Sequence, residues 1–129
     1  MQATPRATGR ADVSVLVVDD QASYRAAMRA VVEATPGLEV VGEADTGEGA
    51  IEAAGELAPQ VVLMDKRMPG LGGLAACRAI TDRAPRIIVI LCSVEDPDPD
   101  TAAAHGAAAM IRKRDLSRAR LLDILGSRL

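Results

Sequence analysis

The sequence predicts an α/β fold: one domain in which five parallel strands alternate with five helices. Three observations carry this expectation. Short, nearly continuous runs of apolar and β-branched residues recur along the chain, the pattern of strands buried on both faces of a parallel sheet. Longer Ala-rich amphipathic segments follow the first four runs and the last, which implies strand–helix–strand crossovers. The chain has 129 residues, enough for one core but too few for two such units.

The elements follow in order. A polar lead, "MQATPRATGRAD" (residues 1–12), has no apolar stretch and reads as a flexible segment, not a signal peptide. The first strand is "VSVLVV", residues 13–18. The helix after it keeps Met28, Val31 and Val32 on one face and stops at the breaker "TPGL". The second strand is "LEVVGE". Its helix places Ile51, Ala54, Leu57 and Ala58 on one face and ends before "APQ". The third and fourth strands are "VVLM" and "RIIVIL". The segment after the fourth, "EDPDPDTAAAHG", has two prolines and no large apolar side chain. It predicts a short, mobile Ala helix capped by Asp96 or Asp98. His105 marks its end, where a histidine is favourable. The fifth strand is "AAMI", and the last helix shows Leu121, Ile124 and Leu125 on one face.

Composition removes several function classes. There is one Tyr and no Phe or Trp, so the stacking platforms of single-strand nucleic-acid binders are missing, as are rings to sandwich a flavin. The net charge of −3 opposes direct nucleic-acid binding, and the arginines at 112, 114, 118 and 120 read as a solvated helix face. Cys77 and Cys92 are far apart, each within an apolar segment, and read as small buried hydrophobes rather than metal ligands or a disulfide. No apolar run approaches membrane-span length, and the expected location is the cytoplasm. Tyr24 reads as packing or surface.

Chemistry gathers at the strand ends. The first strand runs into Asp19 and Asp20, the third into Asp65, the fourth into Ser93 and the fifth into Lys113. Ligands of open α/β sheets bind beyond the carboxyl ends of strands. Three neighbouring carboxylates keep their charge only beside a cation, and an oxygen-only donor set suits Mg²⁺ with water and phosphate oxygens. Aspartate is also a nucleophile for phosphoryl groups. A phosphatase of the haloacid-dehalogenase kind needs D-x-D at its nucleophile, whereas Lys66 and Arg67 follow Asp65.

The stretches "VLVVDDQ", "VVLMDKRMPGLGG", "IIVILCSVED" and "GAAAMIRK" together resemble the receiver domain of bacterial two-component response regulators. The stretch from "VVEATPGLEVVGEADTGEGAIEAAGELAPQ" to "MPG" resembles the subclass bearing a LuxR-type DNA-binding output domain (LuxR/NarL type). The likeness covers residues 13–129. It implies a doubly wound, flavodoxin-like sheet of order 2-1-3-4-5 with helices on both faces. It implies Asp65 as phosphoacceptor and Mg²⁺ held by Asp20, Asp65 and the backbone carbonyl of Arg67, with Asp19 acting through water. Ser93 would be the switch hydroxyl and Lys113 the amine that pairs with the phosphate. Met68-Pro69 and Gly73 match the turn and helix start after the acceptor, and Lys66 and Arg67 would face solvent where a kinase docks.

The partners implied are a histidine kinase and a second copy, through the fourth helix, fifth strand and fifth helix. The implied role is a phosphorylation switch, not a turnover enzyme, serving transcription through a DNA-binding domain outside this chain. The alternative is a phosphorylation-independent interaction module. Two departures from the family favour it: Met110 stands where an aromatic switch residue is frequent, and the Ser93–Lys113 spacing is short by roughly half a helical turn.

Overall fold

The computed structural model describes residues 12–126 and 128. The polar lead expected at residues 1–12 therefore lies, apart from Asp12, outside the described residues. The five strands are β1 (Val13–Val18), β2 (Leu38–Ala44), β3 (Val61–Asp65), β4 (Ile88–Ser93) and β5 (Ala109–Arg112). They alternate with α1 (Ala22–Glu33), α2 (Gly47–Leu57), α3 (Gly73–Arg83), α4 (Pro99–Ala104) and α5 (Arg118–Gly126). A 3₁₀ turn, Lys113–Asp115, joins β5 to α5.

All pairings are parallel, in the order β2-β1-β3-β4-β5. The sheet edges are thus β2 and β5. The register of β1 on β2 slips between Val15 and Leu16, which face Val40 and Gly42 and leave Val41 over.

The side-chain period of two divides the apolar residues between two cores. Leu16, Val18, Val62, Met64, Val89 and Leu91 pack under α2, α3 and α4 through Ala50, Ala54, Ala76, Cys77, Ile80 and Ala102. Val15, Val17, Leu63, Ile90 and Cys92 face α1 and α5 through Met28, Val32, Leu121 and Leu125. Small alanines let α2 and α3 approach the sheet; branched strand residues supply the volume.

The predicted helix faces hold for α1 and α5, where Val31 and Ile124 pack at the edge of the core. They hold only in part for α2. Leu57 is 44% exposed, and Ala58 lies past the helix, exposed and in the left-handed conformation at φ +45°. The face ends there because the helix does: Pro59 cannot continue it. The Ala helix is short as expected, six residues long, and Asp98 rather than Asp96 caps it, accepting from the N–H of Asp100 and Thr101. His105 closes it, its Nδ1 2.9 Å from the Thr101 carbonyl. Both cysteines are buried and free. Among the described residues no helix is long and apolar enough to cross a membrane.

Candidate functional site

The strand order reverses between β1 and β3, so the loops leaving these two strands diverge and open a crevice at their carboxyl ends. Asp19, Asp20 and Asp65 occupy it. Asp19 is fully buried. Its backbone N–H continues the β1–β2 ladder to the Ala44 carbonyl, and its Oδ1 accepts the Gln21 N–H at 2.9 Å as the chain turns into α1. Asp20 is exposed beside it. Asp65 ends β3 and is 6% exposed. Behind it the Lys66 N–H bonds the Cys92 carbonyl and the Gly73 N–H bonds the Lys66 carbonyl, so the loop folds back on the strand. A side chain at Gly73 would set its Cβ 2.0 Å from the Asp65 carbonyl oxygen. Only glycine lets α3 begin there.

Lys113, first residue of the 3₁₀ turn, reaches the acids from the far side of β4. Its Nζ lies 2.8 Å from Asp19 Oδ2 and 3.4 Å from Asp65 Oδ1. Burial pushes the Asp65 carboxyl up, and the Asp19 charge adds to this, against the pull of Lys113. Burial would lower the Lys113 ammonium, but its ion pair with Asp19 and the charge of Asp65 prevail and raise it. The amine is therefore a fixed cation at neutral pH.

Ser93 is buried one residue beyond Cys92, the β4 partner of Asp65. Its Oγ accepts the Glu95 N–H at 3.0 Å. Arg67 faces solvent as expected and forks onto Glu95 Oε1 at 3.0 and 2.9 Å. Lys66 does not: its side chain is only 15% exposed, with Nζ 3.6 Å from the same Glu95 oxygen. One acid gathers both cations, and Lys66 shares the lining of a cleft with Met68 and Leu74. Met110 is buried with Ala102 in the core beneath α4.

One contributor was not legible in the sequence. Arg25, in the second turn of α1, donates through Nη1 to the Asp19 carbonyl at 2.8 Å and through Nε to Glu43 on β2 at 3.0 Å. Arg29 also engages Glu43. The guanidinium pins the backbone that carries the two acids. The only sequence signal is its position one helical turn past Gln21, which brings it back over the strand end.

The donor set fits a hard divalent cation. One oxygen from each of Asp19, Asp20 and Asp65 lies within 4.8 Å of the others. Asp19 Oδ2 is buried and forms an ion pair with the Lys113 ammonium without a well-aligned hydrogen bond, so the carboxylate keeps room for a second positive centre. The exposed Asp20 side admits the waters that Mg²⁺ keeps.

Residues 15–125 match the family described as the response regulator receiver domain. The chain belongs to that family. This receiver is 44% identical over 103 residues to response regulator GacA of Pseudomonas aeruginosa, covering 78% of this chain and 48% of that one. It is 40% identical over 118 residues to protein-glutamate methylesterase/protein-glutamine glutaminase 5 of Myxococcus xanthus, covering 88% and 34%. The chain thus spans about half or less of these relatives. The signal receiver domain of the response regulator NarL from Mycobacterium tuberculosis superposes with a TM-score of 0.79 at 31% identity, over 90% of this chain and 94% of that one. Family, LuxR/NarL-type likeness and flavodoxin-like sheet order are as the sequence led us to expect.

Proposed function

We propose that this receiver is a phosphorylation switch whose acceptor is Asp65. The observation that carries the reading is the convergence of Lys113 on Asp65 and Asp19 beside a third acid, Asp20. A carboxylate oxygen of Asp65 attacks the phosphorus of a histidine kinase's phosphohistidine. The new O–P bond forms as the N–P bond breaks, and the electron pair returns to the donor imidazole. Mg²⁺, held by Asp20, Asp65 and the Arg67 carbonyl with Asp19 acting through water, would neutralise charge on the acids and on the phosphoryl oxygens. Asp65 is oriented by the Lys66 and Gly73 backbone bonds, and Lys113 meets a phosphoryl oxygen with its ammonium. Ser93 gives up its bond from the Glu95 N–H and turns its hydroxyl to another oxygen. The added group carries up to about two negative charges. The α4–β5 segment repacks around Met110, and the α4–β5–α5 face becomes the output surface, available to a second copy. The output is transcription control through a DNA-binding domain outside these residues, in the cytoplasm.

Beryllofluoride with Mg²⁺ tests this directly. Amide resonances around Asp65, Ser93 and Lys113 should shift, and ³²P transfer from a small acyl phosphate should label the wild type but not Asp65→Asn. Unchanged spectra would instead support a phosphorylation-independent interaction module, for which the brevity of α4, with Ala102 its one buried residue, is the favouring observation.

A further inference from the structure

Tyr24 is the chain's single aromatic side chain. It stands in the first turn of α1, across the crevice from the 3₁₀ turn that carries Lys113. The Lys113 ammonium lies 3.6 Å from the centroid of its ring. The same nitrogen touches Asp19 and Asp65, so it is held from three directions: two acids and one π face. A cation over a Tyr ring is attracted by the ring's quadrupole, more strongly where water is excluded. Here the lysine side chain is 9% exposed.

The ring does what the acids cannot. The acids alone draw the ammonium toward Asp19, the nearer of the two. The ring and the lysine both border a cavity of about 350 Å³ lined also by Ala27, Val94, Arg112 and Arg114, and the ring holds the ammonium on its acid side. A lysine stem is flexible and its three donors rotate freely. Without the ring, the amine would have an open route to solvent beside Arg112 and Arg114. The π face takes only a weak N–H···π contact, so the ring competes little with a phosphoryl oxygen for the donors that now face the acids.

We infer that Tyr24 is a positioning residue: its ring face holds the Lys113 ammonium where an oxygen of the phosphorylated acceptor must be met. Its purpose rests on the phosphoacceptor reading of Asp65; its geometry does not. The contact uses the ring face, not the hydroxyl, so phenylalanine should replace it and leucine should not.

The test compares wild type, Tyr24→Phe and Tyr24→Leu in the full chain. In metal-free protein, the Lys113 ε-methylene protons should be shifted upfield by the ring in wild type and Tyr24→Phe, and should return to ordinary lysine values in Tyr24→Leu. With Mg²⁺ saturating, beryllofluoride should bind Tyr24→Leu about fivefold more weakly and Tyr24→Phe within about twofold of wild type. Mg²⁺ affinity alone should not fall in either variant, whereas a general collapse of the pocket would weaken it. Three results would overturn the inference: no ring shift in wild type, wild-type beryllofluoride affinity in Tyr24→Leu, or an equal loss in Tyr24→Phe. A wild-type protein that shows the ring shift but ignores beryllofluoride would sink the phosphoacceptor reading, and with it the purpose assigned to Tyr24, while leaving the contact established.

Discussion

The two ends of the sheet bury polar groups in opposite ways. At the amino ends of the strands the buried or bridging groups are neutral and paired. Thr35 is 1% exposed and its hydroxyl donates to the Val31 carbonyl at 2.7 Å. Gln60 and Ser14 exchange bonds across β1 and β3, and the Gln60 carbonyl accepts from Ile88. At the carboxyl ends two carboxylates and an ammonium are packed together, with one carboxylate oxygen lacking a hydrogen bond. The sheet closes perfectly well with neutral bonds. The charged end is therefore a cost that folding does not require, and it is where the proposed chemistry sits.

The largest expected effect probes how dry that charged end is. Burial pushes the Cys77 and Cys92 thiols up to about 12, and Cys92 pairs with Asp65, whose charge adds to the effect. Against an ordinary 9.0, the thiolate fraction at pH 8 falls about a thousandfold. Iodoacetamide should label both thiols at least that much more slowly in native protein than in urea. Rapid native labelling of Cys92 would mean water reaches the rim and the contrast fails.

Next comes Lys113→Met, which strands Asp19 and Asp65 together. We expect a loss of about 2 kcal/mol, roughly 8 °C in Tm, less than for a sealed ion pair because Asp20 opens to solvent. Millimolar Mg²⁺ should restore most of it. Asp65→Asn should go the other way, stabilising the metal-free protein by about 1 kcal/mol at pH 7. The sign follows from the raised carboxyl. The folded state holds the Asp65 proton more tightly than the unfolded chain does. Wild type therefore loses stability as pH rises through the folded pKa and regains it as pH falls, so the gap between the variants should close in acid. Urea midpoints measured across pH decide it. The smallest effect belongs to the neutral end: Thr35→Val should cost about 1 kcal/mol, independent of Mg²⁺.

The residues at the charged rim were legible because each follows a strand of unmistakable apolar character, and strand ends share one edge of a parallel sheet. Periodicity also found the core faces of α1 and α5. What it missed lies between elements. Arg25 acts on a backbone carbonyl six residues back, and Tyr24 meets a lysine far along the chain. Arg25 leaves only its one-turn offset from Gln21, and the Tyr24–Lys113 contact leaves no spacing at all. Lys66 was expected in solvent because the residue type favours it, but Glu95, from the loop after β4, draws it in. The α2 face was read one turn too long because Ala58 suits a helix; Pro59 overrules it.

The two open margins of the sheet set how copies of this chain can meet. On one side β5 offers only four residues and ends on Arg112, whose guanidinium engages Asp96. On the other, β2 carries Glu39 and Glu43 and a register slip. A short run, acidic side chains and a bulge each discourage strand addition. Cross-β stacking is thus discouraged on both flanks.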